Sequence, residues 1–346
     1  MILDITSFAQ DDASIVQVGR QADRAEVRSV RVHVTGALVS DARFSYRLSA
    51  QYKGFDADTP RDWDISDAAM TFTTADIRIS VGRIKENFSY EVIGSTSAMP
   101  QSERVLTPFA ASRNFGAAAT HVYGSDRRIT ASIGVYDNRW GFGNGGLGMS
   151  GRLSHLLWQD GDRDYLHIGV SFRHVPASGG ALRYHGRPAS NVASDFVDTG
   201  SFAAVHARHY GIEGLYSLGG LSVLGEIVAA RTNAPTVGNP AFHGFYLTGS
   251  WVITGEARPY DRDVGTAGRL VPHGRFGAPE LVVRYAAVDL DDARVHGGRY
   301  ERLDLGVNWW ISRQWKLGGV WGRTWLESGG VTGLTDSALM RLQWIY

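Results

Sequence analysis

The basic side chains of this 346-residue chain are unusual in kind. Of 35 lysines and arginines only three are lysine: Lys53, Lys85 and Lys316. Arginine presents a planar fork of donors that fits carboxylate- or phosphate-like anions, and its stem packs on aromatic rings. A GC-rich genome would give the same bias. One stretch sets such groups at alternate positions. In LRYHGRP, Arg183, His185 and Arg187 stand at i, i+2 and i+4 and project to one side if the chain is extended. His185 adds a charge that titrates near an unperturbed pKa of about 6.5. The same segment also reads as a plain surface loop. A second stretch, 258–275, sets Arg258, Arg262, Arg269, His273 and Arg275 against Asp261 and Asp263. It reads either as a basic funnel or as a plug with its own ion pairs. The chemistry these groups suit makes no bonds. It replaces an anion's water with hydrogen bonds at several weak sites in series.

The elements that must position these groups are strands. Helical periodicity is nearly absent, and period-2 alternation recurs from end to end. Val30, Val32 and Val34 alternate with Arg31, His33 and Thr35. Phe44, Tyr46 and Leu48 alternate with Ser45, Arg47 and Ser49. Leu281, Val283 and Tyr285 oppose Glu280 and Arg284, and Leu303, Leu305 and Val307 oppose Arg302 and Asp304. One parity is therefore polar and leans positive, with Arg31, Arg47, Lys53, Arg78, Arg173, Arg284, Arg302 and Arg341 against Asp67, Glu280 and Asp304. The pattern predicts about 16 strands, with short turns at one end and long loops at the other. The long loops fall at 10–24, 86–112, 176–201, 231–242 and 289–298. This is the signature of an all-β, antiparallel transmembrane barrel. A soluble sandwich has the same period. The membrane reading rests on aromatics near strand ends (Phe44, Tyr52, Trp251, Trp309, Trp321, Trp344), on the arginines of the polar face, and on the terminal LMRLQWIY, whose Ala338, Met340, Leu342, Trp344 and Tyr346 share one side. Zero net charge then implies that acids of the outer loops balance the lumen: Asp11, Asp12, Asp56, Asp58, Asp195, Asp198, Asp289, Asp291 and Asp292.

Several classes find no support. A net charge of zero does not point to nucleic acid. No run approaches the roughly 18 apolar residues of a spanning helix. There are no cysteines, which fits passage through an oxidising compartment. No basic-then-apolar leader precedes Ile2, so export implies one already removed. GFGNGG (141–146) satisfies G-x-G-x-x-G but leads into no helix, so it reads as a hairpin loop. No HExxH, P-loop or cysteine metal motif occurs, and no cofactor is expected. Outer-membrane enzymes build sites from scattered barrel residues, so an enzymatic barrel stays open as a minor alternative.

Several segments resemble one family in order along the chain. GRIKENFSYEVIGSTSAMPQSERVLTPFAASRNFG (82–116) resembles the third-loop region of the phosphate- and polyphosphate-selective porins. LRYHGRPASN (182–191), HGFYLTGSWVITGEARPYD (243–261), APELVVRYAAVDLDD (278–292), LDLGVNWW (303–310) and the terminal MRLQWIY resemble further parts of it. The resemblance implies a 16-stranded outer-membrane barrel, usually a homotrimer, with a constriction loop at 86–112, an inserted loop at 176–201 and a long periplasmic-side segment at 256–277. It implies contact with outer-membrane lipid and lipopolysaccharide, and a final strand read by the barrel-assembly machinery. Arg104 matches a family arginine of the binding zone, Arg28 the first of an Arg-Arg pair, Arg83 a Gly-Arg pair and Asp67 an acidic position opposite them. The row Arg183, His185, Arg187 resembles the arginine row of the fifth loop, and Arg258 belongs to a segment that relatives fold into the pore. Three departures stand out. Ser29 replaces the second arginine, a loop lysine near Ser95 to Ser97 is missing, and His185 stands where arginine is common. The expected function is passive, anion-preferring diffusion of phosphate or related small anions. A broad porin for small polar nutrients is the alternative.

Overall fold

Alternating β-branched and aromatic residues on one parity and polar residues on the other leave a strand one stable home in lipid, a closed barrel whose hydrogen bonds have no free edge. A computed structural model of the chain describes residues 1–38, 41, 43–53, 61–137, 146–188 and 190–346. It is a closed antiparallel barrel of sixteen strands. They are β1 (Ile2–Gln10), β2 (Arg24–Ala37), β3 (Phe44–Lys53), β4 (Arg61–Thr73), β5 (Ile77–Ile84), β6 (Asn114–Tyr123), β7 (Ile129–Asp137) and β8 (Leu147–Asp160). The second half is β9 (Asp164–Pro176), β10 (His206–Leu218), β11 (Leu221–Asn233), β12 (Ala241–Val252), β13 (Ala278–Asp292), β14 (Val295–Trp310), β15 (Trp315–Ser328) and β16 (Val331–Trp344). Each strand pairs with the next, and β16 pairs with β1 from Ile2↔Gln343 to Gln10↔Thr335.

The barrel is inside-out. Its outer wall exposes Val34, Leu48, Met70, Ile133, Ile212, Ile227, Leu247 and Val307, each more than half accessible. Trp251, Trp309 and Trp344 stand on the same outer face near strand ends, where amphipathic rings favour the lipid–water boundary. Polar residues turn inward.

Two bulges reset the alternation where it matters. Asp4 pairs with Glu26, yet Ile2 pairs with Ser29, so β2 holds one extra residue. Strict alternation would put Arg28 and Arg31 on opposite faces. With the bulge, Arg28 and Arg31 both make their side-chain bonds on the interior side. On β4, Ser49 pairs with Asp67 but Ala50 with Ile65, which turns Asp67 inward and leaves Ile65 exposed outside. Gly82 on β5 has φ +129°, and a Cβ there would lie 2.1 Å from the Ala68 carbonyl oxygen, so only glycine fits.

Three long connections pack inside the barrel rather than standing off its ends. Phe88, Tyr90, Leu106 and Phe109, from the connection 85–113, share one buried cluster with Val228, Phe242, Tyr246 and Val288 of the wall. Tyr184, Phe196 and Phe202, from 177–205, join the same cluster, with Tyr184 5.1 Å from Phe242. From 253–277, Leu270 is buried with Val252, Ala278 and Trp310. The connection expected at 289–298 is instead a two-residue turn. β13 and β14 continue past the apolar band, helped by a bulge between Asp289 and Asp291 and a positive φ at Ala293.

The balancing acids also differ from expectation. Many stand inside: Asp4, Glu86, Glu91, Glu103, Glu213, Glu280 and Asp304 are ion-paired to buried or half-buried arginines. A guanidinium taken from water without a nearby counter-charge is costly, so its partner must lie in the same interior. Of the outer-loop acids, Asp195 and Asp198 pair within their own insert, and positions 56 and 58 lie outside the described residues. So do 141–145 of the hairpin motif.

Asp304 takes two arginines at once, Arg284 at 2.9 Å and Arg302 at 2.7 Å, and all three are nearly inaccessible. Asp304→Ala would leave both guanidiniums buried beside an empty position. The expected loss is about 3–5 kcal/mol, read as an earlier unfolding midpoint in denaturant by heat-modifiable gel migration. An unchanged midpoint would remove this triad from the stabilising core.

Candidate functional site

The interior is not uniform. The hydrophobic packing of the inserts lies against β10–β14, and the wall opposite, β2–β5, keeps polar and accessible side chains. The connection 85–113 links the two. The Glu91 carboxylate folds it by accepting from Val105 N and Leu106 N, each at 3.0 Å. Glu226 on β11 anchors it by accepting from Tyr90 N at 2.9 Å and Glu91 N at 3.1 Å. Its tip reaches the barrel seam. Glu103 accepts from Arg28 at 3.0 and 3.2 Å and is paired with Arg341, which also holds Asp4. Burial alone would raise the Glu103 pKa. The Arg28 and Arg341 guanidiniums overcome that and lower it to about 2.

Next to this anchor lies a group of cations with few acids. Lys85, just past β5, donates to Ile93 O at 2.8 Å and Gly94 O at 3.2 Å. Arg104 donates to the same Gly94 O at 3.2 Å and to Val92 O at 3.4 Å, and its Nε has no partner. Arg31 holds Gln51 and lies within electrostatic reach of Arg113, Arg104 and Asp67. Arg113 is paired with Asp67 at 2.8 Å. Burial, then Arg104, Arg113 and Arg31 in that order, push Lys85 well below its ordinary value, and only Asp67 pulls the other way. Burial also lowers Arg104. The arrangement concentrates positive charge around the 92–97 turn, where the Ser95 and Ser97 hydroxyls bond each other at 2.8 Å.

The candidates from sequence separate by partner. Arg31, Arg47 and Arg104 have no carboxylate partner among the described residues, and Arg47 is exposed. Arg28 is neutralised by Glu103. Arg83 meets Asp64 at a loose 3.4 Å. Arg284 and Arg258 are buried in ion pairs, Arg258 with Glu280 at 2.7 Å and over the Trp310 ring. In the insert 177–205, Arg183 and His185 are half exposed while Tyr184 between them is buried. Arg183 binds Asp198 at 2.8 Å, and His185 and Arg187 bind Asp195 at 2.9 and 3.2 Å. The bond to Asp195 raises the His185 pKa. Segment 253–277 behaves as a plug: Arg269 donates to Ser97 O at 2.8 Å, and Arg258 to Ala98 O at 2.9 Å. Sequence reasoning assigned no role to Lys85, Glu103 or Arg113. The signal for Lys85 was present, as one of only three lysines and the residue after the strand GRI.

The family model described as phosphate-selective porin O and P matches residues 4–318. The chain belongs to this family. By that membership it is an outer-membrane porin, and the closed barrel with its inside-out polarity agrees. An uncharacterized protein of Caulobacter vibrioides is 30% identical over 157 residues, 42% of this chain and 31% of that protein. The chain thus spans about a third of that relative. Among solved barrels, an anion-selective porin from Comamonas acidovorans superposes with a TM-score of 0.56 at 10% identity, over 100% of this chain and 99% of the other. Pseudomonas putida OprB gives 0.56 at 10%, over 99% and 93%. A trimer form of in-vitro folded Vibrio cholerae OmpT gives 0.54 at 10%, over 99% and 97%. At such identities the likeness is one of fold.

Because the folded Glu103 value lies below that of an unfolded glutamate, about 4.3, its contribution to stability is complete above that value and fades as pH falls towards about 2. The anchor of the porin's inner loop is therefore expected to hold at pH 5 and to loosen between about 4.3 and 2. Single-channel recordings should become noisier over that interval. Glu103→Gln should reproduce the change at neutral pH and, by freeing Arg28, raise anion selectivity. Quiet wild-type channels at pH 2.5 would refute the anchor.

Proposed function

We propose that this porin passes small anions by passive diffusion along the β2–β5 wall, phosphate-like anions among them. The observation that carries the reading is the cluster at the 92–97 turn, where Arg31, Lys85, Arg104 and Arg113 stand together near Asp67, with Glu91 and Glu103 acting on Arg104 from its other side. An anion passing there would relieve a repulsion already built in, and it would find the hydroxyls of Ser95 and Ser97 at the turn. Arg47 extends the positive wall along β3. Lys85 supplies an amine donor beside the turn from which the expected loop lysine is missing, reaching it from the strand end. Arg28, Arg258 and Arg284 are assigned to the scaffold that holds the insert. Asp67 orients Arg113, and Arg83 supports Asp64.

A second reading has its own observation. Lys85 and Arg104 already donate to loop carbonyls, and Glu103 neutralises Arg28. A site with these donors engaged would bind phosphate weakly, which favours a broader porin for small polar solutes. The family and the trimer form of the Vibrio cholerae barrel support a homotrimer. The short strands β5–β7, with small outward residues Ala117, Ala119 and Ala131, are the wall proposed to meet a partner. Lipid and lipopolysaccharide would cover the rest, and the terminal strand would be read during assembly.

The test is planar-bilayer recording in a chloride gradient, followed by phosphate titration. Wild type should reverse on the anion side. Removing one lumen charge costs an anion about 1 kcal/mol at close approach, roughly fivefold in occupancy. Arg104→Ala should lower selectivity by that order. Block by low phosphate would favour the phosphate reading, and anion selectivity without block the broader one. Unselective wild-type channels would sink both assignments of the cation cluster.

A further inference from the structure

On the outer surface, away from the pore, a second group of basic side chains stands without acids. Arg208 on β10 pairs in register with His174 on β9 and with Arg231 on β11. All three side chains share the outward parity of Tyr210 and Ile212, and Arg208 and Arg231 are exposed. His206 stands one step further toward the rim, its ring centroid 5.0 Å from that of His174. Neither arginine has an ion pair among the described residues, and neither donates a hydrogen bond there. The next carboxylate along this rim, Asp289, is two strands from Arg231 and pairs in register with His243. Asp292 reaches Ala241, the register partner of Arg231, but accepts from its backbone at 2.7 Å.

Like charges directly opposite on a sheet repel and destabilise it. Facing lipid, they cannot be relieved by bulk water alone. The group sits one residue pair above the Phe172–Tyr210 contact, whose centroids are 5.6 Å apart. Below that contact the same face is apolar, with Ile212 65% and Ile227 58% accessible. This vertical order, cations over aromatic rings over aliphatic side chains, matches a lipid with a phosphorylated head, a carbonyl-level boundary and acyl chains. The strands concerned end at the rim that carries the connections 85–113 and 177–205. The opposite rim has the short turns 74–76, 124–128, 161–163 and 219–220, together with the plug segment 253–277. Longer loops mark the extracellular side of such barrels.

We propose that His174, His206, Arg208 and Arg231 form a binding site on the barrel's outer wall for the phosphate of a glycolipid of the outer leaflet. Arg208 and Arg231 would fork a phosphate from neighbouring strands, with the histidines at its edge. The site is independent of the conduction pathway, because every residue in it faces away from the lumen.

The test uses the full chain in detergent, titrated separately with bisphosphorylated lipid A, with the same lipid stripped of phosphate, and with inorganic phosphate, binding being read by native mass spectrometry. The phosphorylated lipid should bind and the stripped lipid should bind far more weakly. A cation near a lipid phosphate contributes about fivefold, so Arg208→Ala with Arg231→Ala should weaken binding roughly 30-fold. The double lysine replacement should retain most of it. Single-channel conductance should be unchanged in both variants. Equal binding of the two lipids would overturn the proposal. Full displacement by millimolar inorganic phosphate would reassign the patch to free anions. Loss of the trimer with lipid binding intact would reassign the face to a neighbouring subunit.

Discussion

A guanidinium removed from bulk water must find an opposite charge nearby, and this requirement organises the inside of the barrel. Arg302 and Arg284 share Asp304, Arg258 meets Glu280, Arg152 meets Glu213, and Arg173 meets Glu86. All but the Arg302–Asp304 contact, which lies within β14, tie two strands or a strand and an insert. A soluble protein of this size would hold its sheets together with aliphatic side chains. Here those side chains face lipid, where burial against a neighbour gains nothing over burial against acyl chains. The work of fixing inserts to wall therefore passes to ion pairs and to one aromatic cluster beneath the two largest inserts.

That division makes the exceptions informative. Where arginine and carboxylate match, the interior is scaffold. Around Lys85, Arg104 and Arg31 the carboxylate pairing is incomplete, and the proposed reading rests on that group. Under the proposed reading, selectivity is a local deficit of acids in an interior that is otherwise balanced. The departures at Ser29 and His185 then matter less than the count of arginines suggests. Arg28, Arg183 and Arg187 are neutralised by Glu103, Asp198 and Asp195, and only the unmatched groups shape the field.

Alternation alone was enough to read the strands, their approximate number and the polarity of their faces, because a barrel in lipid leaves each side chain only two environments. The segment singled out by the family's third-loop resemblance packs inside the barrel and touches both β11 and β2. Partnership was not legible. For several inward arginines the partner is a carboxylate far off in sequence, as with Arg152 and Glu213 or Arg341 and Glu103. Bulges were hidden for a related reason. One extra residue near Ser29 reverses the face of everything after it, so parity counted from either side of it gives a different answer for Arg28 and Arg31. The tall β13–β14 hairpin was read as a loop because its upper half, Asp289 to Gly298, carries the composition of a turn while keeping strand pairing above the lipid.

The Glu103 anchor has a consequence for how the molecule comes into being. Asp4 lies on the first strand and Arg341 on the last, and the Glu103 carboxylate joins Arg341 to Arg28 on the second. These contacts need β16 already hydrogen-bonded to β1. In a sheet still open at its seam, Arg28 and Arg341 would sit apart and the tip of the inner loop would have nothing to grip. The anchoring of the inner loop is therefore a late event in biogenesis that reports closure. A barrel whose seam failed to zip would leave the loop tip unheld, and the arginine clamp makes the finished seam and the anchored loop one and the same step.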